Sequence, residues 1–434
     1  MSQLKQSGLM FKMKNEDISM NVLSLFSGCG GMDIGFEGGF TCLKRSINKN
    51  IHPQWIAEDY GDFVKVAETG FHTVFANDIR PDAKAAWVSY FSQRVSNAEN
   101  LYHIGSIVDL VKRVNNGERI FPENIDIVTG GFPCQDFSIA GKRKGFNSER
   151  SHDGGKLKAG APSAESRGQL YMWMCDVITL TKPLLFIAEN VKGLTSFRDV
   201  KGVIEKDFAN ASNGGYLVIP ARVLHAADYG VPQSRERVIF FGFKKSALKK
   251  EALTALKKEH IPADYDPYPP KTHAFTVDDA SLSAPVTCKE AFYGLLEPDK
   301  TDDPSQKKYS KAKYMGKHCQ GQTEIKLDSI GPTVRSEHHG NIEYRRLSNE
   351  HNGMHSEELS SGLQERRLTV RECARIQTFP DEYQFILPKK GDLVGVSSSD
   401  AYKIIGNAVP CMLAYNIAKH ISDKWSNYFR EDAK

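Results

Sequence analysis

Residues 21–31 read Asn21-Val22-Leu23-Ser24-Leu25-Phe26-Ser27-Gly28-Cys29-Gly30-Gly31, a short apolar run that passes directly into a glycine-rich turn. An apolar run of this length suits a strand buried on both faces. Glycines after it let the backbone turn sharply and approach a ligand as the next helix begins. The alternative is a tight strand–helix turn with no ligand. A dinucleotide fingerprint needs a third glycine where this chain has Asp33, which disfavours a nicotinamide-dependent oxidoreductase.

Outward from this turn, apolar runs recur at Phe71–Ala76, Ile125–Val128, Leu184–Ala188, Tyr216–Val223 and Val238–Phe243. Helical patterns fall between them at Pro81–Val95, Gly168–Thr181 and Lys201–Ala211. Strands alternating with helices predict an α/β fold, a mostly parallel, doubly wound sheet with helices on both faces. Residues 1–20 are polar and read as an N-terminal extension, and 21–245 as the main domain. Residues 246–365 are rich in Lys, Pro, Asp, Ser and Gly without a lasting period; they read as a smaller domain, with a composition near 297–312 compatible with disorder. Periodicity returns over 366–434. Thr369 and Glu372 have capping-box spacing for a helix ending before Pro380, and Pro410 suits the first turn of a last helix at about 411–424.

A chain of 434 residues exceeds one ordinary core, which agrees with this division. Its 40% hydrophobic and 25% charged content is that of a soluble globular protein. No apolar run has the length of a membrane span and no apolar signal core precedes Asn21, so a cytoplasmic location without a membrane partner is expected. Eight scattered cysteines without a C-x-x-C pair predict neither a disulfide framework nor a zinc site, and no metal is expected. The net charge of +4 is too small to identify a polyanionic partner by itself.

Three segments carry candidate chemistry. The second apolar run ends at Asn77-Asp78, where α/β folds that bind nucleosides place a carboxylate for ribose hydroxyls; a helix cap or solvated turn is the alternative. The gap from Gly28 exceeds the usual spacing and makes 42–70 an insertion. Ile125–Val128 runs into Thr129-Gly130-Gly131-Phe132-Pro133-Cys134-Gln135, which puts a cysteine just beyond a strand's carboxyl end, where open α/β sheets bind ligands. Pro133 directs the chain into Cys134, and the basic, glycine-containing stretch after it, with Ser138 and Lys142, suits phosphates. A buried cysteine followed by a solvated loop is the competing reading. Leu184–Ala188 leads to Glu189-Asn190-Val191, an acid at a strand end whose carboxyl group can meet the N3 and N4 edge of a pyrimidine. Gln233-Ser234-Arg235-Glu236-Arg237 presents two arginines that point the same way if extended. Glu189 and these arginines can equally form one structural ion pair. Arg335, Glu337, His338, His339 and Asn341 are a polar cluster suited to base edges in a groove, or else a solvated turn.

Taken in order, these segments resemble the DNA (cytosine-5) methyltransferases. The resemblance rests on residues 26–31, 131–135, 189–191 and 233–237, then on Arg367-Leu368-Thr369-Val370-Arg371-Glu372-Cys373-Ala374-Arg375 and Gly406-Asn407-Ala408-Val409-Pro410, and it covers about 21–243 and 366–425. It implies a methyltransferase-type, Rossmann-like sheet, with 246–365 as a target-recognition domain and 366–434 returning to pack beside the glycine turn. It places Phe26, Gly28, Gly30, Gly31, Asp78, Ile79, Ser106, Ile107, Leu170 and Asn407 around S-adenosyl-L-methionine. Ser106 stands where many members carry an acid near the adenine, and 151–164 is a further insertion.

By the same resemblance Cys134 adds to carbon 6 of a flipped-out cytosine and activates carbon 5. Glu189 holds N3 and the exocyclic amine, Arg237 holds O2, and Arg235 assists or contacts phosphate. Gln135, Ser138, Lys142, Arg335, His338 and His339 contact DNA. The expected partner is double-stranded DNA, with the chain a monomer and the modification enzyme of a restriction–modification system beside a cognate endonuclease. An RNA-directed member and a catalytically inactive DNA-binding relative are the alternatives; the 120 residues between Lys245 and Arg366 are long enough for a base-reading module and favour DNA.

Overall fold

The computed structural model describes residues 19–133, 170–196, 199–276, 279–336 and 342–433. Its main sheet contains β1 (Met20–Leu25), β5 (Phe71–Asp78), β6 (Tyr102–Ile104), β7 (Ile127–Gly131), β8 (Leu185–Val191), β9 (Tyr216–His225) and β10 (Glu236–Lys244). The strand order is β6-β5-β1-β7-β8-β10-β9. The five strands from β6 to β8 are parallel, and β10 runs antiparallel to both β8 and β9.

Alternate residues of the central strands serve two different cores, which explains why these runs read as continuously apolar. Val22, Leu185, Ile187, Ile239 and Phe241 join one core with the helices Gly31–Glu37, Pro81–Phe91 and Cys411–Asp423. Leu23, Leu25, Phe186, Ala188, Val238 and Phe240 join the other with Ile107–Asn115, Leu170–Thr181 and Val200–Gly214. The sheet is therefore covered on both faces. All six apolar runs are strands. The sequence reading lacked β6, a three-residue edge strand with no apolar run.

Residues 42–70 are not a loose insertion. β2 (Thr41–Leu43), β3 (Ile56–Asp59) and β4 (Phe63–Val66) form a separate antiparallel sheet in the order β2-β4-β3. Trp55 stacks on His52 at 3.8 Å and meets Tyr415 edge-on at 5.4 Å. Asn48 donates to the carbonyls of Thr272 and Ser281, so this sheet braces both the C-terminal helix and the segment after β10.

Residues 246–365 carry little regular structure, apart from short helices and β11 (Tyr344–Arg346), which pairs with β12 (Arg366–Arg367). Their buried Cys288, Ile325, Val334 and Ile342 belong to the first core of the main sheet. The stretch 297–312, compatible with disorder by composition, is ordered: it holds the helix Pro304–Lys307, and Glu297 pairs with Arg346 and Arg366. Buried arginines replace the missing apolar content. Arg367 donates to the carbonyls of Ala312, Lys313, Gly321 and Ile342, Arg371 pairs with Asp303, and Arg375 reaches the carbonyls of Ala291 and Tyr293. Arg371 and Arg375, four residues apart, share one face of the helix Val370–Ile376, and Arg367 lies in β12 just before it.

Thr369 and Glu372 form the expected capping box on the helix Val370–Ile376. Pro410 lies at the N-cap of Cys411–Asp423, one position earlier than expected, and a further short helix follows at Trp425–Tyr428. No described helix is long and apolar enough to cross a membrane.

Candidate active site

A cleft of about 310 Å³ opens at the carboxyl ends of β1, β5, β7 and β8, where the chain order reverses between β1 and β7. Such a switch point leaves a crevice because neighbouring connections leave in opposite directions. Antiparallel β10 begins at this same edge, which brings Arg235 and Arg237 to it.

One end of the cleft is built on the glycine turn. Phe26, Gly28 and Gly31 line it with Asp78, Ile79, Ser106, Ile107, Leu170 and Asn407. Phe26 has a φ of 54°, a left-handed conformation that costs a non-glycine residue on the order of 1–3 kcal/mol. The turn is fixed from below. Ser27 N–H donates to the Asn77 carbonyl, and Gly28 N–H donates to Asp78 Oδ2 at 3.0 Å. Burial raises the Asp78 carboxyl. Gly31 admits the C-terminal segment, since a Cβ there would lie 2.3 Å from the Val409 carbonyl oxygen. At Gly35 a Cβ would meet Ala414 at 2.5 Å, so the helices Gly31–Glu37 and Cys411–Asp423 pack backbone to backbone.

Gly30, expected beside the cofactor, is not among the residues that line the cleft. It adopts φ 79° against Trp87, whose Cδ1 would be 2.6 Å from a Cβ. Sequence reasoning also missed Asp33, seen only as a failed glycine. It is buried and accepts from Ser24 Oγ at 2.5 Å and Trp87 Nε1 at 2.7 Å, and burial raises its carboxyl to about 6.

The other end is built on β7, β8 and β10. Gly131, Phe132, Pro133, Glu189, Val191, Arg235 and Arg237 line it. Glu189 is 7% exposed, and its Oε1 lies 2.6 Å from Arg237 Nε. Burial raises the Glu189 carboxyl, and the two arginines oppose that rise. The ion pair left open by the sequence therefore exists, and it faces the cleft. Gly131 pairs with Glu189 across β7 and β8, and a Cβ on it would lie 2.9 Å from Glu189 Oε2. Asn190, on the opposite side of the strand, donates to the Phe132 carbonyl at 3.1 Å. It thereby holds the chain one residue before Pro133.

Arg235, expected to assist at the base or to contact phosphate, lines the cleft but is only 1% exposed. Its guanidinium donates to the carbonyls of Val334, Gly406 and Ala408 at 2.9–3.0 Å. Arg335, expected to contact DNA, pairs with buried Glu343 at 2.7 Å. Gly406 lets that segment approach, because a Cβ there would lie 2.3 Å from the Arg335 carbonyl carbon. Cys134, Gln135, Ser138, Lys142, His338 and His339 lie outside the described residues, as does 151–164.

A doubly wound sheet with a glycine turn, a strand-end carboxylate and a Glu–Arg pair on one cleft has the construction of a group-transfer enzyme acting on a nucleotide. Residues 61–423 match the family model of the C-5 cytosine-specific DNA methylases, and the chain belongs to that family. It is similar to the Type II methyltransferase M.BspRI of Lysinibacillus sphaericus, with 31% identity over 95% of this chain and 84% of that protein. It is also similar to M.BsuRI of Bacillus subtilis, with 29% identity over 94% and 80% of the two chains, and to M.NgoPII of Neisseria gonorrhoeae, with 29% over 93% and 95%. Among solved structures, Entamoeba histolytica EhMeth superposes with a TM-score of 0.54 at 13% identity, over 94% of this chain and 99% of that one, a likeness of fold. The protein is thus a DNA (cytosine-5) methyltransferase, and DNA is its substrate.

Proposed function

We propose that the glycine-turn end of the cleft binds S-adenosylmethionine, that the Glu189–Arg237 end receives a flipped-out cytosine, and that Cys134 is the nucleophile. The observation carrying this reading is that both ends open into a single cleft, with Pro133, the residue before Cys134, on its wall. The donor set fits the cofactor. Asp78 offers a carboxylate for ribose hydroxyls, while Phe26, Ile79, Ile107 and Leu170 offer apolar surface to a purine. A Cβ added at Gly28 would meet no atom within 4 Å, which leaves open space over the turn. Ser106 caps the helix Ile107–Asn115 by accepting from Val108 N–H, so a hydroxyl stands where other members carry an acid. S-adenosylmethionine, when bound, supplies the electrophilic methyl group that carbon 5 accepts.

Cytosine carbon 5 is too weak a nucleophile unaided. The Cys134 thiolate adds to carbon 6 and makes the ring enamine-like, so one difficult step becomes two easier ones. Glu189 shares a proton with N3 as charge develops, and its raised affinity for a proton favours that role. Arg237 holds Glu189 in place and offers its remaining N–H groups to O2. When the carbon 5 proton leaves, the ring re-forms and expels Cys134. Carbon 6 is inaccessible in a stacked duplex, so the base must turn out at a cost of a few kcal/mol.

Residues 246–365 serve in this proposal as the target-recognition segment, and 366–434 as the return to the sheet. The Type II relatives support a place in a restriction–modification system. The test is a duplex carrying 5-fluorocytosine at the target, incubated with S-adenosylmethionine. The fluorine cannot leave as a cation, so a covalent protein–DNA adduct through Cys134 is expected. No adduct at a methylated target site would overturn the mechanism.

A further inference from the structure

We infer that the exposed lysines of residues 308–317 form a phosphate-contacting strip for the duplex on either side of the target base. This rests on the DNA reading above and names a surface that the cleft does not include. The stretch reads Lys308-Tyr309-Ser310-Lys311-Ala312-Lys313-Tyr314-Met315-Gly316-Lys317. Lys308, Lys311, Lys313 and Lys317 are exposed, whereas Tyr309, Ala312, Tyr314 and Gly316 are half-buried.

Among the described residues no acid compensates the charge of the strip. Lys307 pairs with Asp302, but among the described residues none of the other four lysines has a carboxylate at ion-pair distance. The acids nearby are engaged elsewhere, Asp303 with Arg371 and Glu297 with Arg346 and Arg366. Four unpaired cations in ten residues repel one another, a cost that a row of phosphates would turn into attraction.

The strip is also held in place. Val370 N–H donates to the Lys308 carbonyl, Arg367 donates to those of Ala312 and Lys313, and Met315 N–H donates to Gln322 Oε1. Tyr314 stacks on His351 at 4.2 Å, and Lys311 Nζ sits 3.6 Å from the Tyr309 ring centroid. A fixed backbone lowers the ordering cost of binding.

Its connection to the cleft runs through three guanidinium groups. Arg367, which holds the strip, also holds the Ile342 carbonyl; adjacent Glu343 pairs with Arg335; and the neighbouring Val334 carbonyl accepts from Arg235 in the cleft wall. Lysine is a point charge without the planar fork that reads base edges, so the strip positions DNA without reading its sequence.

The test measures binding of a short fluorescent duplex to the full chain across a salt series, with all four lysines changed to Gln and, separately, to Arg. For the Gln variant we expect weaker binding of target and unrelated duplexes by the same factor. The slope of log Kd against log salt should fall by about 2–4, at ~0.9 for each phosphate no longer neutralised. The Arg variant should keep the slope, and S-adenosylmethionine affinity should not change. An unchanged slope in a Gln variant with native melting behaviour overturns the strip while leaving the enzyme assignment intact. Selective loss of the target duplex also overturns it, because base reading would then be the role. If the Gln variant does not fold, Lys313→Gln and Lys317→Gln singly carry the same test. A wild-type chain that binds no duplex overturns both the strip and the DNA reading.

Discussion

Glu189 and Arg237 meet across neighbouring antiparallel strands, with Oε1 2.6 Å from Nε. In the register, Arg237 faces Val191 and Ile239 faces Glu189, so the pair is diagonal on the face that lines the cleft. One charged partner is thereby spent on orienting the other. Glu189→Gln keeps the shape but cannot share a proton with N3. Single-turnover methyl transfer should slow by about 10²-fold or more, with duplex affinity little changed. A rate equal to wild type would take Glu189 out of the chemistry.

Gly131 is where the cysteine loop and Glu189 compete for space. The methyl of Gly131→Ala would sit 2.9 Å from Glu189 Oε2, and Arg237 limits how far that carboxylate can retreat. Transfer rate should fall while melting temperature changes little, since only a side-chain tip is displaced. If rate and stability decline together, the effect is general packing and not the carboxylate's position.

The two arginines two residues apart should separate cleanly. Arg235→Met removes the donor to the buried Val334 and Gly406 carbonyls, while the Ala408 carbonyl keeps Gln377, and should cost on the order of 2–3 kcal/mol in a denaturant titration. Arg237→Met leaves Glu189 able to neutralise itself by binding a proton, so it should spare stability and impair transfer. Equal destabilisation by both would contradict this division of labour.

Asp33 should make stability depend on pH. Burial raises its carboxyl from 3.8 to about 6, so between those values the folded state holds a proton that the unfolded chain has released. Stability from this group is fully present below pH 4 and is lost as pH rises to about 6, on the order of 3 kcal/mol. Asn can accept from Trp87 Nε1 and donate to Ser24 Oγ, so Asp33→Asn should flatten that slope. Unfolding midpoints at pH 5 and pH 8 decide it: a variant that retains the full wild-type difference assigns the slope to another group.

Cys134→Ser should abolish both transfer and the 5-fluorocytosine adduct, because a hydroxyl is scarcely ionised near neutral pH. Calorimetry should show S-adenosylmethionine binding unchanged, since the glycine turn and Asp78 are untouched. Residual transfer near the wild-type rate would assign the nucleophile elsewhere.

Hydrophobic periodicity is a local property, and it sufficed for the sheet. Val22–Phe26 and the five later runs are strands because unbroken apolar residues can only be satisfied by covering both faces. The order of the short motifs likewise sufficed for the family. What the sequence could not show was which partner each polar side chain would take, since those partners lie far along the chain. Arg235 and Arg237 look alike two residues apart, yet one meets carbonyls about 100 and 170 residues away and the other meets Glu189. Asp33 reads as a defect in a glycine pattern until Trp87 and Ser24 surround it. Residues 297–312 read as loose because their order comes from buried guanidinium groups at 346, 366, 367 and 371 and not from their own apolar content. Apolar burial is written residue by residue, whereas a buried charge is tolerated only where the folded chain delivers its counterpart.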